Sequence, residues 1–225
     1  MSKPTEIESF DSLRASKSLV FTSKDMLRLR WRPFGSIQSS VYVADDLSTI
    51  TSLSPYQQAA GIETPFHQIS TSPATEPPVS SITVRLMELE DWESDWVDAH
   101  EPHAQHDSGD AQWSTEPRTK LMRCCGQRRP YPPAPLLVQS AEGGFVTVHD
   151  FVTQTHEWLQ PLRKDILSAM EVTFGRVYSD SQLYLALIAL DNLMLVRDER
   201  PGQVERHWER VVDHVRRREA EILRK

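Results

Sequence analysis

Between Gln203 and Arg224 the apolar residues Val204, Trp208, Val211, Val215 and Ile222 recur at spacings of 4, 3, 4 and 7. That is the period of a helix with a single apolar stripe. An isolated helix of this length is marginal in water and draws its stability from burying the stripe. The chain must therefore supply an apolar surface to receive it. The basic residues of 200–225 number eight against five acids, and the acids interleave with them, so the opposite face reads as a solvated charged surface rather than a field for an anionic partner.

The nearest candidates for that surface lie in the same block, 130–225. Leu136-Leu137-Val138 reads as a short strand. Thr147 is a good N-cap, with Asp150 three residues on as an acidic variant of the capping box. Phe151, Val152, Thr155, Trp158 and Leu159 follow at helical spacing. Pro161 predicts an interruption and the first residue of a second short helix carrying Leu162, Ile166, Leu167 and Met170. Leu183, Leu185, Leu187 and Ala189 alternate as in a strand, and Leu193 to Val196 follows as another. The expectation is that the C-terminal stripe packs on Phe151, Trp158, Ile166 and the Leu183–Leu190 segment.

The first 81 residues hold 16 serines and seven prolines, a composition that favours irregular chain. One hairpin is suggested within 26–44. There Met26-Leu27-Arg28-Leu29-Arg30-Trp31 alternates apolar and basic, Pro33-Phe34-Gly35-Ser36 is a turn signal, and Ser40-Val41-Tyr42-Val43-Ala44 can pair back. Ser48 to Ser80 shows no period and reads as a linker. Ile82, Val84 and Leu86 alternate as a strand, which runs into an acidic stretch with one base and nine acids from Arg85 to Asp110. Trp92 and Trp96 share a face there if that stretch is helical. The expected organisation is an irregular segment 1–81, an acidic strand and loop segment 82–129, and a compact domain 130–225. The fold class is α+β, with short strands, two short helices and a long terminal amphipathic helix.

Three groups of residues mark the segments with a pattern of their own. These are Glu76-Pro77-Pro78-Val79-Ser80-Ser81-Ile82, then Glu90-Asp91-Trp92-Glu93-Ser94-Asp95-Trp96, then Phe145-Val146-Thr147-Val148-His149-Asp150 with His156-Glu157-Trp158-Leu159 and Leu162-Arg163-Lys164-Asp165-Ile166-Leu167. Together they resemble a family of uncharacterised fungal proteins with a Pro-rich lead and a Val-Thr-Val-x-Asp helix start, over roughly residues 76–213. The resemblance implies a short α+β domain in a fungal, intracellular protein. It carries over no functional residue.

Four constellations have chemistry to offer. His100, His103 and His106 form a His-x-x-His-x-x-His run among carboxylates, a donor set suited to zinc or nickel. Cys124 and Cys125 stand side by side between Arg123 and Arg128-Arg129, which favours thiolate and suits either acylation or a nucleophile served by His149 or His156. Arg129, Pro132 and Pro135 fit Arg-x-x-Pro-x-x-Pro, a polyproline segment that docks in aromatic grooves. The dyads His149–Asp150 and His156 with Asp165 suit acid–base work if a pocket holds them. No glycine-rich phosphate loop, nucleophile elbow or His-Glu-x-x-His helix occurs.

The net charge of −7 argues against a general nucleic-acid or anionic-membrane binder. The N-terminus shows no apolar signal region, and the longest apolar run, Leu183 to Leu190, is far short of the roughly 20 residues that span a bilayer. The sequence therefore predicts a cytoplasmic or nuclear protein without stable membrane insertion, with no bound cofactor unless zinc. Its expected function is non-enzymatic, an interaction or scaffold protein with a protein partner. The alternative is an enzyme dependent on a metal at His100, His103 and His106, or on a cysteine.

Overall fold

The computed structural model describes residues 7–47, 52–58, 65–104, 109–115, 120–141 and 144–222. In chain order the first elements are α1 (Phe10–Ala15), β1 (Phe21–Thr22), α2 (Lys24–Leu27), β2 (Leu29–Trp31), α3 (Ile37–Ser40), β3 (Val41–Ala44) and β4 (Leu53–Pro55). There follow β5 (Thr75–Glu76), β6 (Ser81–Leu86), α4 (Met87–His100), β7 (Gln112–Trp113), β8 (Leu121–Cys124) and β9 (Gln127–Arg128). The chain ends with β10 (Leu136–Gln139), α5 (Val148–Phe174), β11 (Leu183–Ala186), β12 (Asn192–Arg197) and α6 (Gln203–Ile222). The class is mixed α+β, as the sequence predicts. No helix among the described residues is long and apolar enough to cross a membrane.

The chain divides into two compact units. Unit 1 comprises residues 1–85, 135–161 and 179–225, and unit 2 comprises 86–134 and 162–178. Unit 1 carries a four-stranded sheet in the order β10-β6-β12-β11, a three-stranded sheet β2-β3-β4 and the pair β1-β5. The strands Ile82–Val138 and Leu185–Leu195 meet in antiparallel register with those four side chains buried. Period-two alternation then sends Leu137 and Met194 to the other face, where they are 51% and 43% exposed.

The N-terminal segment departs from its composition. Met26, Leu27, Leu29, Trp31, Val41, Val43, Tyr56, Ile69, Ala74 and Val79 are all buried in unit 1. The residues read as a linker include Tyr56, Ile69 and the strand β5, and none of these is free chain. The serines that suggested loose chain instead end helices. Ser9, Ser23 and Ser36 each accept from a backbone N–H three residues on, at 3.1, 3.2 and 3.3 Å. Helices of four to six residues need such caps, because their free N–H groups are a large share of the whole. The hairpin forms between β2 and β3, with Leu29 opposite Val43 and Trp31 opposite Val41.

The predicted break at Pro161 is absent. One helix, α5, runs through it for 27 residues. Its start is the predicted one. Asp150 accepts from the Thr147 backbone at 3.0 Å and from its hydroxyl at 2.7 Å, while the Asp150 N–H donates back to that hydroxyl at 3.0 Å. Within unit 1, α5 holds the hairpin through His156. Its Nδ1 accepts from Trp31 Nε1 at 3.2 Å and its Nε2 donates to Gly35 O at 2.7 Å, which fixes the neutral tautomer.

Helix α6 buries Trp208, Val211 and Val215, as the stripe requires. Its neighbours include β12 and, beyond the expected set, residues of the N-terminal elements. The Arg30 guanidinium lies 4.0 Å above the Trp208 ring, and that of Arg218 lies 4.4 Å above Phe21. Arg218 also donates to Thr22 O at 3.1 Å and pairs with Glu76. Arg30 is buried and donates to Leu27 O and Leu29 O at 3.1 and 3.2 Å, whereas a simple apolar–basic alternation would leave it outward.

Truncating Trp208 to alanine is expected to cost roughly 3–5 kcal/mol, the range for large buried aromatics. Arg217→Ala, on the exposed face where Arg217 bonds only its own helix, should stay within about 0.5 kcal/mol. Urea denaturation of both variants, followed by circular dichroism, measures the difference. An unshifted Trp208→Ala midpoint would mean that α6 does not dock.

Acid should destabilise unit 1. Burial, with Arg210 and Arg30 beside it, holds His207 at about 4, and burial holds His156 below the ordinary imidazole value. Above pH 6.5 both states are neutral and nothing is lost. Below it the unfolded chain takes up protons first, so stability falls with falling pH until the folded values are reached, by up to about 3 kcal/mol for His207. His207→Leu should flatten the loss of melting temperature between pH 7 and pH 4. An unchanged slope would remove His207 as its source.

Candidate metal and thiol centre

Unit 2 builds its site from a helix end and a hairpin. Helix α4 starts without a side-chain cap but with Glu88 and Glu90 in its first turn, where acids suit the helix dipole. It ends at His100, and a 3-10 turn, Glu101–His103, carries the chain on. The hairpin β8–β9 is closed by two residues, Cys125 and Gly126, at φ of +52° and +76°. Two left-handed residues make the type I′ turn, whose twist matches that of the strands it joins. Position 126 suits glycine for that reason. Cysteine at 125 is an unusual occupant, because a residue with a Cβ is strained there.

The turn separates two adjacent thiols by environment. Cys124, the last residue of β8, is buried among Trp96, Ala104 and Leu121, whereas Cys125 is exposed. Their sulfurs stay 3.6 Å apart. Cys125 Sγ lies 3.8 Å from His103 Nδ1, and Cys124 Sγ points at His100 O, also at 3.8 Å. One donor atom from each of His103, Cys124 and Cys125 therefore falls within 4.8 Å of the other two. Burial and the adjacent Cys125 thiol push the Cys124 thiol up.

The histidine run is divided by this geometry. His103 joins the cysteines. His100 is buried, stacks on Trp96 at 4.4 Å and 21°, and is bonded through Nδ1 to Trp96 O at 2.8 Å, so it belongs to the core of the unit. His106 lies outside the described residues. The cysteines fare differently from each other as acylation sites, since two lipid chains would require Cys124 to leave the core. The base expected for a cysteine nucleophile was His149 or His156. The imidazole beside Cys125 is that of His103 instead.

Of the remaining candidates, Arg129, Asp150 and His156 are engaged in the fold, whereas His149 Nδ1 is buried without a hydrogen-bond partner among the described residues. Arg129 donates to Glu93 Oε1 at 2.7 Å and to Leu121 O at 3.2 Å, so the Arg-x-x-Pro-x-x-Pro motif keeps Pro132 and Pro135 exposed but has its cation occupied. In unit 1 the Asp150 carboxylate is committed to the α5 cap and His156 to Trp31 and Gly35. His149 lines a cleft of about 500 Å³ with Phe66, Phe145 and Thr147, its ring 4.4 Å from that of Phe66.

Sequence spacing separated the histidines from the cysteines and offered them as two constellations. The signal that could have joined them is Cys125-Gly126 itself, a left-handed turn pair set between the short strands at Leu121 and Gln127. No protein-family model, no curated protein and no solved structure matches the chain.

The two thiols should separate in a labelling experiment. Under native, reducing-agent-free conditions a disulfide-exchange reagent is expected to modify Cys125 promptly. Cys124 should follow only at the rate of unit 2 opening, and both together in urea. Equal native rates for the two would contradict the burial of Cys124.

Proposed function

We propose that this chain is a non-enzymatic intracellular interaction protein whose partner is another protein. The observation that carries the reading is the commitment of two acid–base candidates to structure. Asp150 caps α5 and His156 fixes the hairpin through both ring nitrogens. Catalysis needs such groups turned toward a substrate, and a residue with both ring nitrogens bonded to the fold has none to offer. The open face of the four-stranded sheet supports a docking role, since Leu137 and Met194 stand exposed on it. Two free thiols side by side suit a reducing compartment, cytoplasmic or nuclear. An acidic chain of net charge −7 does not favour nucleic acid as the partner.

A second reading, a cysteine-dependent enzyme, is favoured by one contact, the 3.8 Å approach of Cys125 Sγ to His103 Nδ1. The two readings separate experimentally. Tagged protein and a Leu137→Asp/Met194→Asp variant with an unchanged melting temperature are used side by side for affinity capture from native lysate and mass spectrometry. The interaction reading expects a stoichiometric protein captured by the parent and lost by the variant. Capture that the variant keeps in full, or electrophilic thiol probes that label Cys125 only when His103 is present, would overturn it.

A further inference from the structure

We infer that unit 2 holds one borderline-soft divalent ion of the zinc class on Cys124 Sγ, Cys125 Sγ and a ring nitrogen of His103. The inference is independent of the interaction reading, which concerns unit 1.

The first argument is metric. Zinc binds thiolate at about 2.3 Å and imidazole at about 2.0–2.1 Å in a tetrahedron, which sets sulfur–sulfur at about 3.8 Å and sulfur–nitrogen at about 3.6 Å. The observed separations are 3.6 Å between the sulfurs and 3.8 Å from Cys125 Sγ to His103 Nδ1. The third pair lies within 4.8 Å and closes by a side-chain movement of about 1 Å. These are ligand spacings without any rearrangement of the backbone. Two thiolates and an imidazole are also a soft donor set, which selects zinc over magnesium or calcium.

A second argument comes from the turn. Asparagine, aspartate or glycine is the ordinary occupant of the first position of a type I′ turn. Here it is Cys125 at φ +52°. Strain kept at one residue marks a position where its side chain has work to do. The left-handed backbone places the Cys125 sulfur on the same side as that of Cys124, which normal strand alternation would oppose.

The third argument is the size of the unit. Unit 2 comprises roughly 66 residues, below the range of about 70–80 where a hydrophobic core alone supplies enough stability, and small domains of that size are commonly stapled by metal or disulfide. One of its buried clusters, Trp96, Ala104, Leu121 and Cys124, contains a ligand of the centre. No disulfide joins the two cysteines, so a metal is the staple chemically open to it. The acidic stretch from Arg85 to Asp110, with Asp110 near enough to act on Cys124, raises the local cation concentration. The three ligands leave a fourth position to water.

The test uses the full chain, reduced with a phosphine and stripped with a chelator. Cobalt(II) is added as a spectroscopic probe, then zinc in competition with a chromophoric chelator. We expect one ion per chain by native mass spectrometry, a thiolate-to-cobalt charge-transfer band with the visible bands of a tetrahedral site, and a zinc-dependent rise in melting temperature. Cys125→Ser and His103→Gln should each weaken zinc binding by roughly 100-fold or more. His149→Gln, in unit 1, should leave it unchanged. The absence of a charge-transfer band in the parent protein overturns the inference whether or not the variants fold. So does Cys125→Ser at parental affinity, which would assign the ion to imidazoles and carboxylates elsewhere.

Discussion

Unit 1 depends on a buried cation that has no carboxylate partner among the described residues. Arg30 sits beneath the face of Trp208, donates to two backbone carbonyls of its own strand region and is lowered to about 10 by burial. A guanidinium tolerates this because it is weakly hydrated and stacks on an aromatic face, where a lysine ammonium would not. The contact ties an N-terminal strand to the C-terminal helix, so neither end of the chain reaches its buried state without the other. Arg218 repeats the device over Phe21, with Glu76 as its counter-ion. The basic face of α6 is thus only partly a solvated surface. Arg30 and Arg218 hold the helix within unit 1, and His207 is kept neutral first by burial and then by Arg210 and Arg30 beside it.

Periodicity located the elements better than it located their partners. The stripe of α6, the capped start of α5, the hairpin at β2–β3 and the strands β6, β10, β11 and β12 follow from spacings in the sequence. What failed has identifiable causes. Pro161 was read as a stop, but proline inside a helix frees only the carbonyl four residues back, that of Glu157, and Glu157 is exposed enough for water to take it. The serines of the first 81 residues were read through composition, which averages over position, whereas each N-cap serine acts at one position. An apolar–basic alternation would send Arg30 to solvent, and the pattern carries no record of the tryptophan that covers it.

The site was less legible than the fold for a related reason. His103 and Cys125 belong to different elements, and no period links them. Their approach is set by where α4 ends and by the handedness of a two-residue turn. Each half is recognisable by residue type, but the structure places His100 in the core of unit 2 and His156 in the hairpin contact of unit 1, away from the pairing of His103 with Cys125. A run of like residues in sequence shares a site only when the backbone keeps them on one face, and here the helix ended inside the run.

Cys124 connects the site to the stability of its unit. It is one of the four residues of the buried cluster and also one of the two sulfurs of the centre. Burial and the neighbouring Cys125 thiol oppose its ionisation. A cation at that point reverses the balance, because the thiolate is then paired where water cannot reach it. Ligand deprotonation, closure of the shell and burial of the cluster become one event, and the free energy of binding the ion is delivered to the fold of unit 2. With Trp96 stacked on His100 and His100 O facing Cys124 Sγ, that energy acts on the end of α4 and the β8–β9 hairpin together.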